Sequence, residues 1–159
     1  MLNYPSYRYD DNFVLKVPLL LWLTLLYGVR HVFIVSATRM MPLDVFDTPW
    51  IYMQSSALFL LTDAVAALLL FATGHRVPTG SNFMRQVWKL GRWLLAGAFG
   101  AAIALFVYLN RETITDPGDM HFLEAILVVA VDLAFIAYLL GSRLVTDVFR
   151  DFPAPAPKP

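Results

Sequence analysis

Residues 17–37 read VPLLLWLTLLYGVRHVFIVSA. The run is apolar almost throughout and long enough, at ~1.5 Å per helical residue, to cross the ~30 Å hydrocarbon core of a bilayer. Arg30 and His31 fall inside it, where a removable signal segment would carry only apolar residues. Three further stretches have the same character: residues 50–73, 87–110 and 121–144. A lone strand would leave its backbone groups unpaired in lipid, so each stretch is expected to be a helix. Alternation of apolar and polar residues is absent, which argues against a barrel. The expected fold is therefore all-α: a polytopic membrane protein with a four-helix transmembrane bundle over residues 17–144. Residues 1–16 form an N-terminal segment, and residues 145–159 a proline-rich tail.

Composition supports this. Of 159 residues, 58% are hydrophobic, above the ~45–50% of soluble domains, and the mean hydropathy is +0.61. Twelve basic and 12 acidic residues cancel, which argues against a nucleic-acid-binding domain, since that would need a basic face. There is no cysteine, so disulfides, thiolate catalysis and cysteine-bound metals are excluded.

The basic residues set an orientation. Arg8, Lys16, Arg76, Arg85, Lys89, Arg92, Arg143, Arg150 and Lys158 lie on one side, and Arg39 and Arg111 on the other. This asymmetry places both termini and the middle loop in the cytoplasm. The outer loops carry Asp44 and Asp47, then Glu112, Asp116 and Asp119. Met41-Pro42, Thr48-Pro49 and Asp116-Pro117-Gly118-Asp119 read as turns. Trp50, Tyr52 and Tyr108 on one side, and Trp88 and Trp93 on the other, suit interfacial belts. Pro153-Ala154-Pro155-Ala156-Pro157 favours an extended end.

The informative residues are charges inside the spans. Asp63 and Asp132 lie near the expected midpoints of spans two and four, and Arg30 within about a helical turn of the same depth. A lone aspartate at that depth costs ~2.5–3.5 kcal/mol or more. The least costly arrangement turns all three inward, so Arg30 is expected to contact Asp63, Asp132 or both, with an unpaired aspartate protonated. His31 should point ~100° away from Arg30, and Glu124 sits nearer the outer surface. This cluster is either an ionic pin that fixes helix register or a proton or ion relay. The absence of a Gly/Pro-interrupted pair of spans disfavours transport.

His31, His75 and His121 are the only histidines. Only His31 and His121 fall on one side, at different depths, so haem ligation is the weakest reading; hydrogen bonding at the interface suits them better. Gly97, Gly100 and Ala101 give span three a small-residue face, expected to be buried against the bundle or against another subunit. An echo between Gly74-His75-Arg76 and Gly141-Ser142-Arg143 leaves Asp63 and Asp132 out of register, so no repeat is assigned. No phosphate-binding loop, zinc-protease helix or nucleophile elbow is present, and no catalytic or metal-binding residue is expected.

Tyr9-Asp10-Asp11-Asn12, followed by Leu15-Lys16-Val17-Pro18-Leu19-Leu20-Leu21-Trp22 and the later Arg30-His31, resembles the YfeZ-like inner-membrane proteins, an uncharacterised bacterial family. The resemblance implies a multi-pass protein of the bacterial inner membrane and no activity. On these grounds the chain is expected to be a non-catalytic accessory or scaffolding subunit, or a self-associating bundle. It should bind lipid and a protein partner or a second copy, with no other cofactor. A small transporter using Arg30, Asp63 and Asp132 is the alternative, and a haem-binding electron-transfer subunit the weaker one.

Overall fold

The computed structural model describes residues 4–10, 14–40, 51, 53–78 and 80–153. Its α-helices are α1 (Leu19–Tyr27), α2 (Arg30–Met40), α3 (Leu60–Gly74), α4 (Asn82–Leu109), α5 (Arg111–Thr115), α6 (Phe122–Gly141) and α7 (Arg143–Arg150). A 3-10 turn at Ala57–Phe59 leads into α3. Four helical segments are long and apolar enough to cross a membrane: Leu19–Met40, Ala57–Gly74, Asn82–Leu109 and Phe122–Gly141. Between 17% and 33% of each is buried inside the protein. Leu19, Leu61 and Leu123 are at least 75% exposed, as helices bathed in lipid would leave them. The chain is an all-α, multi-pass membrane protein.

Capping side chains explain where these spans depart from the hydropathy limits. Ser81 Oγ accepts from the Met84 N–H at 3.2 Å, which starts α4 at Asn82 rather than at residue 87. Ser142 Oγ accepts from Val145 N–H at 3.3 Å, so span four stops at Gly141 and a separate helix begins. Span two starts at Ala57, not residue 50, because Ser56 opens the 3-10 turn and accepts from Leu58 N–H. Asp63 therefore sits in the first turn of α3 rather than at mid-span. Asp116 Oδ1 accepts from Gly118 N–H at 2.9 Å, forming the expected turn before span four. Met41-Pro42, Thr48-Pro49, Asp44, Asp47, Trp50, Tyr52, Asp11-Asn12, the tail from Ala154 to Pro157 and Lys158 lie outside the described residues.

The long helix α4 is the hub. It packs against α3, α6 and α7, while α3 packs against α1 and α2. The larger core joins Leu21, Leu25, Leu69, Leu95, Phe99 and Leu139 to Trp88 and Phe149. A smaller one around Phe59, Phe106 and Ala125 closes the other end.

At the end of the bundle bearing both termini, the polar segments knit together. Amphipathic α7 buries Val145, Val148 and Phe149. Trp88, expected at the lipid interface, is fully buried instead, because α7 folds back over it and Val148 O accepts from its indole N–H at 2.9 Å. Trp93 stays 60% exposed. Leu15 N–H donates to Asp151 Oδ2 at 2.7 Å, and Tyr4 O–H to Asp147 Oδ2 at 2.7 Å. Arg76, whose guanidinium lies over the Trp88 ring, donates to Leu15 O and Asp151 O. Burial lowers its pKa, opposed by the charge of Asp151. Residues 143–153, expected to divide between span and loose tail, thus form part of the core.

Candidate functional site

Span one is not continuous. Helix α1 ends at Tyr27, residues 28 and 29 form a turn, and α2 begins at Arg30. No interrupted pair of spans was expected, yet span one breaks at a glycine, and for a steric reason. A Cβ at Gly28 would lie 2.8 Å from the Ala66 Cβ of α3, so spans one and two meet there at backbone distance. A break exposes the first N–H groups of the following helix. Val32 N–H reaches Val29 O at 3.2 Å and Asp63 Oδ2 at 2.9 Å. Asp63, entering from the neighbouring span, thus stands as an acidic group at the N-terminus of α2, where the helix dipole favours negative charge.

The two polar side chains beside the break part company. Arg30 Nη2 lies 2.8 Å from Asp132 Oδ2 on α6, and Arg30 Nε donates to Gln54 Oε1 at 2.9 Å. Its guanidinium also sits over the Tyr27 ring, 4.1 Å from the centroid. His31 turns the other way: its Nδ1 is 2.6 Å from Asp63 Oδ1, and its ring stacks on Phe59 with centroids 4.4 Å apart. Of the two aspartates, Arg30 holds only Asp132. Asp63 is served by His31, a residue expected at the interface but fully buried. At 2.6 Å the His31–Asp63 contact needs one proton between nitrogen and oxygen.

Some polar atoms keep spare capacity. His31 Nε2, Asp132 Oδ1 and Glu124 Oε2 are buried without a hydrogen-bond partner. A cavity of about 10 Å³, room for one water, lies beside His31 and Asp63, walled by Leu95, Phe99 and Ala102. A larger crevice of about 280 Å³ runs between spans one and four past Arg30, Gln54 and Glu124. Glu124, in the first turn of α6, has a partly exposed side chain whose Oε2, itself covered, lies 3.9 Å from His121 Nδ1. His75 stands apart from the cluster, tilted against Phe71 with centroids 4.0 Å apart. Among the described residues no group of three or more His, Asp or Glu could hold a metal.

The small-residue face of span three is not used inside the bundle. Gly97 and Ala101 are exposed and Gly100 half-buried. A Cβ at Gly97 or Gly100 would meet nothing within 4 Å. The residues α4 buries are Gly91, Leu95, Phe99, Ala102 and Phe106, which share the opposite side of the helix at spacings of three and four. The glycine that does permit close packing is Gly91, where a Cβ would come 2.5 Å from the Phe149 ring and 2.8 Å from Leu69.

Sequence reasoning missed Gln54, Tyr27 and the pairing role of His31. A signal existed for the last of these. Adjacent helical residues diverge by ~100°, so an arginine and a histidine side by side can serve two carboxylates on two different spans.

The fold and these paired charges define a class: four-span membrane proteins with an ionic core built on a broken first helix. Within it, the chain belongs to the family described as protein of unknown function (DUF2919), which matches residues 4–151. The family is uncharacterised, as the N-terminal resemblance implied, and the match extends well beyond the opening motif. No curated protein and no solved structure matches the chain.

Proposed function

We propose that this protein is a non-catalytic accessory or scaffolding subunit of the bacterial inner membrane, both termini cytoplasmic, that packs through the open face of span three against a larger partner or a second copy. The observation that carries this reading is that face. In lipid, small residues act chiefly by letting helix backbones approach, and among the described residues nothing lies within 4 Å of a Cβ added at Gly97 or Gly100. The charged side chains support the same view. Asp63 and Asp132 are each neutralised within the chain, so the cluster serves as a pin that sets how spans one, two and four meet.

Co-purification in mild detergent with Gly97→Leu tests this. The substitution touches nothing within the chain, so the monomer should fold as before while a partner or dimer is lost. A wild type that runs as a lone monomer, or an assembly unaffected by the leucine, would remove the basis for this reading.

A second reading, a proton relay through Asp63, draws on the uncommitted His31 Nε2 and Asp132 Oδ1 and on the helix break, a feature of ion sites in transporters. Proteoliposome flux abolished by Asp63→Asn would favour it. Haem ligation by His31 would have to displace Phe59 from the imidazole face, and no observation favours it.

A further inference from the structure

At the end of the bundle bearing the termini, α4 and α7 present matching triplets across a crevice. Lys89, Arg92 and Trp93 on α4 face Thr146, Phe149 and Arg150 on α7, and together they line a space of about 60 Å³. Both sets fall at i, i+3 and i+4, hence on one face of each helix. One water needs ~10–15 Å³, so the space admits a small tetrahedral group. Gly91 sets its depth, since any side chain there would push Phe149 and α7 away.

The crevice is cationic without internal compensation. Arg92 donates to the Thr146 hydroxyl and lies over the Trp93 ring, but Lys89, Arg92 and Arg150 form no ion pair among the described residues. Among the described acidic residues of this end, Asp147 accepts from Tyr4, Asp151 from Leu15 and Asp10 from Val14. The Thr146 hydroxyl donates to Ser142 O at 3.1 Å, so its part is to hold Arg92 in place, and the three uncompensated cations are what suits a phosphate, which takes charge-assisted hydrogen bonds from arginine in particular.

Position points to the source of that phosphate. At 28 residues, α4 is ~42 Å long, against ~30 Å of hydrocarbon. Its first turns therefore emerge into the headgroup layer, and the exposed Leu90, Trp93 and Leu94 mark where acyl chains begin. We infer that the crevice of Lys89, Arg92, Thr146 and Arg150 is a binding site for the phosphate of an anionic phospholipid, with Trp93 and Leu94 against its upper acyl chain. The site is independent of the buried ion pairs, and its lipid would lie beside the span-three packing face, since Trp93 stands one turn before Gly97 on α4.

Native mass spectrometry of the full chain in mild detergent tests it, with phosphatidylglycerol, phosphatidylcholine of the same chains, and inorganic phosphate as probes. Phosphatidylglycerol should be retained in preference to phosphatidylcholine. Lys89→Gln with Arg150→Gln, two side chains without a hydrogen bond or ion pair among the described residues, should cut that preference about thirtyfold, at ~5-fold per basic residue near an anionic surface. Arg39→Gln with Arg111→Gln removes equal charge at the other end and should leave the preference intact. Failure of excess inorganic phosphate to displace the lipid supports a lipid source; displacement would overturn it in favour of a soluble phosphate. Equal retention of the two lipids, or equal loss in both double variants, would overturn the site.

Discussion

Arg30 and His31 are chain neighbours that bind different spans: Arg30 holds Asp132 of α6 at 2.8 Å, and His31 holds Asp63 of α3 at 2.6 Å. The helix restarts at Arg30, so both side chains lie in the first turn of α2. Lateral divergence of the two side chains turns one dipeptide into a bracket between two other helices. That arrangement fixes rotation and depth of three spans at once, which nonspecific apolar contact in lipid does not do.

Breaking one side of the Arg30–Asp132 pair leaves a buried charge without its partner. Arg30→Met or Asp132→Leu alone should destabilise the protein by about 3–5 kcal/mol. The double variant should recover much of the loss, because it removes both desolvated charges. Unfolding in mixed detergent micelles would measure this. A double variant as unstable as the sum of the singles would show that the two residues do not act as a pair.

The His31–Asp63 contact predicts a double-mutant coupling of about 0.5–3 kcal/mol, the range for residues in one hydrogen-bond network. Asp63→Asn keeps an acceptor for Val32 N–H, so it should cost less than Asp63→Leu, which leaves His31 Nδ1 unpaired and Val32 N–H with only its 3.2 Å bond to Val29 O. The order of these two variants in the same unfolding assay distinguishes capping of α2 from simple charge pairing. Equal losses would mean that the Val32 contact contributes nothing.

Much of this was legible in the sequence, and the rest was not, for identifiable reasons. Hydropathy located four crossings because lipid demands long apolar helices whatever their neighbours. It placed their ends poorly because caps decide ends: Ser56, Ser81 and Ser142 are each followed by a backbone N–H that bonds back to the hydroxyl. The need to neutralise Asp63 and Asp132 followed from energetics alone. The assignment of His31 to Asp63 did not, because a histidine weighs as neutral in a charge count. Gly97 and Gly91 show the limit of composition. Both sit on α4, yet only Gly91 meets another helix, a fact that depends on α7 folding back at Ser142.

The Tyr4–Asp147 bond ties the N-terminal segment to α7, and its pH dependence has a definite sign. The bond to the Asp147 carboxylate is the main cause holding the Tyr4 phenol above its ordinary value of 10.0. A group whose folded pKa is raised contributes its stability below the unfolded pKa and loses it as pH rises through the folded one. The difference in Tm between wild type and Tyr4→Phe should therefore be constant from about pH 8 to pH 10 and vanish at higher pH. A difference that persists after the phenol ionises would place the contribution of Tyr4 in its ring contacts instead.

Glycine substitutions separate close packing inside the bundle from the open face of span three. At Gly28 and Gly91 an added methyl would sit within 2.8 Å of Ala66 or within 2.5 Å of Phe149. Overpacking of this kind costs about 1–3 kcal/mol. Gly28→Ala strikes the Cβ of a short side chain, which cannot swing aside, so spans one and two must separate and the Asp63 contact to Val32 should lengthen. Gly91→Ala strikes the ring of Phe149, which can move only by lifting α7 from α4. Thermal unfolding should show both losses, and Gly91→Ala should in addition expose Trp88 to an aqueous quencher, because α7 covers that indole. Gly97→Ala meets open space and should be neutral or slightly stabilising, by up to the ~1 kcal/mol that alanine gains over glycine in a helix. A loss at Gly97 equal to that at Gly91 would mean that the face of span three is already covered in the protein as purified.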